Sequence, residues 1–283
     1  MVGQGDLCTF LRTHLEHEFA HYFGVTDKRY IDSVTERWLD DEGNSQRLYA
    51  DISSLSGGDI PKDARVLDMA CGCGTFVYYG LLQGLDVWGV DPEGWKHTFN
   101  RMKADVYGYP QEWKYRFIKG IGETLPFTDQ TFDFVFSYQT LEHVQDVKRC
   151  LQEMLRVLRP GGAMFLRSPD YRSIFEGHYR LPWLPLFPRS LARLYLGMLG
   201  RPTVGLSTIN YVTTPSIKRM LRNEKVRIID LDRQNARDMF REGLRISRFR
   251  EGGISQSLWF LYRGVVSLIR LIVAVTLIVV KET

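Results

Sequence analysis

The stretch Arg65-Val-Leu-Asp-Met-Ala-Cys-Gly-Cys-Gly-Thr-Phe76, followed by Val87-Trp-Gly-Val-Asp91, constrains this chain more than any other. An apolar run ends in an acid and breaks into a glycine-rich turn. A second apolar run then ends in another acid. Short apolar runs bounded by turn residues read as buried strands, and a strand–loop–helix–strand unit of this kind begins a parallel sheet with crossover helices. Further runs at 115–119, 133–137 and 163–167 repeat the rhythm, and residues 147–158 carry a helical pattern. Pro160-Gly161-Gly162 ends that helix and turns into the next strand. Two more strands are expected at 226–231 and 275–281. The fold class is therefore α/β, a doubly wound and mostly parallel sheet of seven strands.

The remainder divides around that sheet. Leu7, Phe10, Leu11, Leu15, Phe19 and Phe23 recur at helical spacing, and 40–63 is polar, rich in Gly and Ser, and reads as a linker. Residues 1–60 are expected to form a helical N-terminal extension or lid, and 61–283 the sheet domain. An insertion at about 170–212, rich in proline and aromatics, separates strands five and six. Thr214-Pro215 opens a helix, with Thr as N-cap and Pro at the first helical position. The apolar stretch 258–280 is long enough to span a bilayer. Arg263 and Arg270 oppose that, since charges are costly in a membrane. An amphipathic helix at 257–272 followed by a β-branched strand fits better.

At 283 residues, 44% hydrophobic and 25% charged, the chain has room for one large core. A net charge of +4 is too weak to imply nucleic acid. Arg233, Arg237, Arg241, Arg245, Arg248 and Arg250 read as a solvated helix face, with an anionic partner or membrane surface as the alternative. Of four cysteines, Cys71 and Cys73 lie inside the glycine turn without zinc-site spacing, and no metal is expected. This usage suits a reducing compartment. No leader pattern or N-myristoyl motif opens the sequence, so a cytoplasmic location is expected, with peripheral contact at the inner membrane face.

The loop selects its ligand. A nicotinamide site wants G-x-G-x-x-G, and Val77 stands where the third glycine would be. Asp68 would repel a pyrophosphate but suits a cationic amine. Both points favour S-adenosylmethionine, which carries an ammonium and a sulfonium and no phosphate.

Beyond the loop, the sequence reads Gly120-Ile-Gly-Glu-Thr-Leu-Pro-Phe127, Phe132-Asp-Phe-Val-Phe-Ser137, Leu141-Glu-His-Val144 and Arg156-Val-Leu-Arg-Pro-Gly-Gly162. With these motifs, residues 66–162 resemble the class I S-adenosylmethionine-dependent methyltransferases and their Rossmann-like sheet. Within that superfamily they are similar to the ubiquinone- and menaquinone-biosynthesis group. The resemblance implies that Asp68, Ala70, Gly72 and Gly74 surround the methionine portion of the cofactor. It implies that Asp91 accepts the ribose hydroxyls beside Pro92, that Gly122 and Glu123 lie where adenine is held, and that Ser137 ends the fourth strand beside the sulfonium. Ala70 replaces the family's first loop glycine, and Ile121 stands where an adenine-contacting acid is usual.

Methyl transfer to a hydroxyl benefits from a base titrating near working pH, which histidine supplies. His143 and His178 are the catalytic candidates, with positioning of the loop and a surface histidine as their respective alternatives. Tyr138, Tyr171, Tyr179 and Tyr211 are the candidate acceptor contacts. Ser168-Pro-Asp-Tyr171 imitates the motif of nucleic-acid amine methyltransferases but follows the fifth strand rather than the fourth, so no nucleic-acid partner is expected. The expected acceptor is a small molecule, a sugar or a lipid-linked intermediate, methylated on oxygen. Carbon or nitrogen of a quinone or lipid precursor, or a non-catalytic binding subunit, are the alternatives. Residues 181–195 weakly resemble insertions of bacterial methyltransferases associated with surface polysaccharides, and their Arg-bearing amphipathic pattern suggests an interfacial patch.

Overall fold

The structure, a computed structural model, describes residues 3–56, 60–233 and 274–283. Seven strands form one sheet: β1 Arg65–Met69, β2 Asp86–Asp91, β3 Phe117–Lys119, β4 Phe132–Tyr138, β5 Leu158–Pro169, β8 Val226–Asp230 and β9 Ala274–Lys281. A two-stranded ribbon, β6 Phe175–Glu176 with β7 Leu181–Pro182, lies apart from it. The sheet order is β3-β2-β1-β4-β5-β9-β8. The first five strands are parallel, and β9 runs antiparallel to both β5 and β8. The chain order reverses beside β1, where β2 and β4 flank it, so loops leaving the carboxyl ends of these strands border one crevice. Open α/β sheets bind ligands at this switch point.

Alternation along the strands builds two apolar layers. Leu67, Met69, Val135 and Leu166 pack on one face against Cys150, Leu151 and Met154 of α6, Val147–Val157. Val66, Val87, Phe136 and Phe165 face Phe76, Val77 and Leu81 of α4, Thr75–Leu82. Phe136 lies between the rings of Phe76 and Phe165, at 4.3 and 4.7 Å between centroids.

The N-terminal part comprises α1 Gln4–Glu18, a wider turn at Phe19–Phe23, α2 Lys28–Leu39 and α3 Gly43–Ser56. The expected helix over 7–23 thus loosens into a π-type turn at Phe19 and stops at Gly24, whose φ of +62° suits glycine. The expected linker at 40–63 instead holds α3. Asp40 begins it by accepting the amides of Glu42 and Gly43, and Tyr49 stacks on Phe76 at 4.3 Å. Leu7, Leu11, Leu15, Ile31 and Val34 pack on Phe99 of α5, Gly94–Tyr107. Lys103 of α5, wholly buried, donates to Asp41 and to the Trp38 carbonyl, at 2.5 and 3.0 Å.

Three boundaries differ from the sequence reading. Residues 111–116 form a 3-10 turn, so β3 starts at Phe117 rather than 115. Residues Pro160 to Gly162 lie inside β5, whose pairing with β4 slips between Phe132 and Phe134. The helix after the insertion, α9 Thr214–Met220, is capped by Thr213, not Thr214. Between β5 and α9 come the ribbon, α7 Arg189–Met198 and α8 Val204–Ser207. The late arginines from 237 onward and the segment 257–272 lie outside the described residues. Among the described residues, no helix is long and apolar enough to cross a membrane.

Candidate functional site

The β1–α4 loop turns through three left-handed residues, Ala70, Gly72 and Gly74, at φ of 64°, 52° and 72°. The glycines serve different ends. A Cβ on Gly74 would meet the Phe117 ring at 2.7 Å and Asn100 Oδ1 at 2.8 Å, so this glycine permits packing. A Cβ on Gly72 would meet nothing within 4 Å, which leaves the loop backbone bare on that side. Gly122 resembles Gly74: a side chain there would strike Cys150 Sγ at 2.6 Å and Met69 Sδ at 2.9 Å.

Asp68 and Asp91 lie at the ends of neighbouring strands and are 5% and 2% exposed. Asp91 is fully organised. Its two oxygens accept the amides of Gly72 and Glu93 at 3.0 and 2.9 Å, and Lys96 Nζ stands 3.8 Å away. Each carboxylate oxygen can accept a second bond. Asp68 receives no hydrogen bond from the described residues, and burial, with the charge of Asp91 nearby, pushes its carboxyl up to about 8. A carboxylate so placed calls for a cation. Ser137, one residue before the end of β4, stands opposite Met69, and its buried hydroxyl has no partner among the described residues. A crevice with a bare loop backbone, an uncompensated acid, an acid with free lone pairs and an orphaned hydroxyl fits S-adenosylmethionine, whose ammonium, ribose and sulfonium need those groups.

Several contributors were not read from the sequence. Asn100 donates to the Gly72 carbonyl at 3.0 Å and holds the loop from α5. His97 lies 2.8 Å from the Asp91 carbonyl. The Trp95 indole donates to Glu93 at 2.6 Å and to Glu18 of α1 at 3.1 Å, which ties the N-terminal part to the β2 side of the crevice. Burial and the neighbouring Glu93 push Glu18 up to about 7. The sequence signal for α5 was a polar residue every third position, His97, Asn100 and Lys103, on the helix face that is buried.

Gly122 and Glu123 stand in the turn after β3, between the bridged Ile121 and Thr124. Glu123 Oε1 accepts the amides of Gln145 and Asp146 at 2.6 and 3.1 Å, so this carboxylate fixes the entry to α6. Pro92 is exposed on the turn after Asp91.

The two candidate histidines, 35 residues apart, meet: His143 Nε2 lies 3.1 Å from His178 Nε2. His178 Nδ1 lies 2.7 Å from Glu176 Oε1, and Glu176 in turn accepts from Tyr171 Oη at 3.3 Å and the Tyr179 amide at 2.6 Å. Burial holds His143 down to about 4, with His178 beside it. Burial also opposes charge on His178, but the Glu176 carboxylate outweighs it and raises that imidazole. The adjacent Glu142 is fully buried; Ser168 Oγ donates to its Oε2 at 2.8 Å and Oε1 has no partner. The Ser168-Pro-Asp-Tyr171 stretch is thereby a structural tie. Asp170, fully buried, accepts the Thr214 amide at 3.1 Å and pairs with Arg172 at 2.6 Å.

Tyr171 and Tyr179 are buried in the core of the insertion with Phe23, Trp183 and Phe187, and Tyr211 stacks on Tyr171 at 4.8 Å. The hydroxyls of Tyr179 and Tyr211 meet no partner of good geometry. Tyr138 is the exposed member of the four, beside Arg167.

Residues 67–166 match the family model described as a methyltransferase domain. A ubiquinone biosynthesis O-methyltransferase of Rhizobium rhizogenes is 31% identical over 140 residues, which cover 45% of this chain and 55% of that protein. The norajmaline N-methyltransferase of Rauvolfia serpentina is 31% identical over 145 residues, covering 50% and 46%. The chain spans about half the length of the curated relatives it matches. The crystal structure of the YcgJ protein of Bacillus subtilis superimposes with a TM-score of 0.52 at 18% identity, over 85% of this chain and 99% of that one, and shares its fold.

Proposed function

We propose that this chain, whose residues 67–166 match the methyltransferase-domain family model, transfers the methyl group of S-adenosylmethionine to an oxygen of a small-molecule, sugar or lipid-linked acceptor. The observation that carries the reading is the pair of buried acids, Asp68 and Asp91, on either side of a loop whose Gly72 backbone is bare. S-adenosylmethionine, when bound, supplies an activated methyl group on a sulfonium. The protein then has to bind, align and deprotonate. Asp68 takes the ammonium, Asp91 the ribose hydroxyls, and Ser137 borders the sulfur. Glu123 acts on the adenine side through the loop it holds, with Gly122 passing beneath.

Relatives of equal identity carry names with O- and N-methyltransferase, and it is the site's histidines that support oxygen. His143 follows the carboxyl end of β4, beside the strand that ends in the glycine loop, and His178 meets it from the turn between β6 and β7. A hydroxyl seated there meets a polar group able to take up or screen its proton. Tyr138 is the exposed tyrosine that borders the approach, Tyr171, Tyr179 and Tyr211 act through the packing of the insertion, and the N-terminal part covers the β2 side as a lid.

A lipid-linked acceptor is supported by the insertion's outer surface. Leu184, Leu194 and Met198 are 60%, 63% and 79% exposed, and Leu186, Leu191 and Leu199 join them. Exposed apolar groups of this density mark a binding surface, and Arg193 among them suits anionic lipid. Co-sedimentation with anionic vesicles at low salt is the check, and absence of binding would remove the membrane from the reading.

The deciding experiment uses methyl-labelled S-adenosylmethionine, purified protein and a fractionated lysate, with Asp91→Ala as control. Label in the lipid-extractable fraction supports a lipid-linked acceptor, and label in the water-soluble fraction a free metabolite. Calorimetric titration with S-adenosylmethionine and its demethylated product accompanies it. A protein that binds neither is not this enzyme.

A further inference from the structure

We propose that Glu142, His143 and His178 form a binding site for one first-row divalent cation of the manganese-to-zinc type, a cofactor not expected from the sequence. Their ligand atoms, one carboxylate oxygen of Glu142 and one ring nitrogen of each histidine, lie within 4.8 Å of one another. Three features separate this group from a chance cluster.

The first is the orphaned oxygen. Glu142 is fully buried, Ser168 satisfies its Oε2, and among the described residues nothing satisfies Oε1. An unpaired carboxylate oxygen in the interior is costly, and a cation is what removes the cost.

The second is the histidine geometry. His178 Nδ1 faces the Glu176 carboxylate at 2.7 Å and donates to it, so the neutral imidazole presents a lone pair on Nε2. That lone pair points at His143 Nε2 across 3.1 Å. Metal–nitrogen bonds of about 2.0–2.1 Å place two adjacent imidazole nitrogens about 2.8–3.0 Å apart in octahedral sites and about 3.3–3.4 Å apart in tetrahedral ones, and the observed separation falls between.

The third is the support. Glu176 is itself fixed by Tyr171 Oη and the Tyr179 amide, and a carboxylate gripping the far nitrogen of a ligand histidine is the usual outer layer of metal sites. Two imidazoles favour manganese, iron, cobalt or zinc over magnesium or calcium. With Glu142 and Glu176 both anionic, a divalent ion leaves the cluster neutral.

Three protein ligands leave positions open for the acceptor's hydroxyl. That last step rests on the methyltransferase reading; the metal site does not. A bound cation would hold the acceptor oxygen and favour its deprotonated form by charge, the proton passing to solvent water rather than to an imidazole base.

The test strips the full chain with a chelator and titrates it with Co(II), following visible absorption and heat. S-adenosylmethionine is titrated separately into the same preparation. The expected result is one Co(II) per chain. His143→Ala and His178→Ala should each weaken it by about a hundredfold, and Glu176→Gln by about tenfold or more. Glu142→Gln, which keeps the shape and the Ser168 bond, should also weaken it, and it guards against a variant that fails to fold. His17→Ala, on the stacked His17–His21 pair of the N-terminal region, should change nothing. Wild-type protein that binds S-adenosylmethionine but no Co(II) overturns the metal site alone, as does Co(II) binding unaltered in the His143 and His178 variants. Protein that binds Co(II) but no S-adenosylmethionine overturns the methyltransferase reading and leaves the metal site standing.

Discussion

Replacing Asp68 by Asn separates what this acid does for the ligand from what it does to the fold. Asp68 is almost fully buried and receives no hydrogen bond from the described residues, and its carboxyl is pushed from 3.8 to about 8. A raised folded-state value means that the folded protein holds a proton which the unfolded chain releases. The stability from this group is complete below pH 3.8 and is lost as the pH rises through about 8. The two values lie about four pH units apart, and about 1.4 kcal/mol each gives an upper bound near 6 kcal/mol above pH 8. Water entering the crevice reduces this, and a buried amide without a partner costs about 1–3 kcal/mol in the variant. The expected outcome is an Asp68→Asn protein that is about 1–3 kcal/mol more stable than the parent at pH 8.5, with the advantage gone at pH 5. Urea unfolding of ligand-free protein at pH 5, 6.5 and 8.5 measures it. The same variant should bind S-adenosylmethionine about tenfold to a hundredfold more weakly, because the ammonium loses its counter-charge. A stability difference that does not change with pH would refute the reasoning, since it would mean that Asp68 is not titrating between the folded and unfolded states.

Other substitutions probe separate parts of the site. Asp91→Ala should weaken S-adenosylmethionine binding by about 1.5–3 kcal/mol through lost charge-assisted hydrogen bonds; calorimetry showing unchanged affinity would place the ribose elsewhere. Lys103→Met removes the partner of Asp41, whose carboxyl burial already pushes up to about 6. It should destabilise by about 3–5 kcal/mol at pH 8 and by less at pH 5, where Asp41 takes up a proton; equal losses at both pH values would contradict the buried pair. Ala70→Gly relieves a left-handed residue at φ 64° and should raise stability by about 0.5–1 kcal/mol after the greater freedom of glycine in the unfolded chain is counted. A lower urea midpoint for that variant would show that the Ala70 methyl packs where no contact was credited.

What was legible in the sequence was what the chain builds locally. The strands ending at Met69 and Asp91 and the turn between them depend on neighbours within one βαβ unit, where apolar runs and glycines report directly on structure. The helix Gly43–Ser56 was missed because its pattern is polar. It is held by the Asp40 cap and by Tyr49 docking on Phe76, a contact 27 residues away. His143 and His178 were both named, yet their meeting was not foreseen, nor the part played by Glu142 and Glu176. Glu176 lies two residues before His178, a spacing that brings a carboxylate to an imidazole only when the ribbon of Phe175–Glu176 and Leu181–Pro182 bends the chain there.

The helix Gly94–Tyr107 shows what a closer reading of polarity could have recovered. Helical spacing predicts which positions face the core, and on this helix three of them carry polar groups, His97, Asn100 and Lys103. Buried polar groups require partners, so a stripe of this kind in a sequence announces three tethers. The tethers run to the Asp91 carbonyl, the Gly72 carbonyl, and Asp41 with the Trp38 carbonyl. One rigid helix therefore fixes the strand end that bears the ribose-side acid, the bare glycine of the loop and the N-terminal extension in a single frame. Apolar residues at these three positions would bury as much surface, but they would leave the Gly72 and Asp91 carbonyls without the donors that hold the crevice in shape. The polarity of the stripe is thus a cost to the core that is explained only by the crevice it shapes.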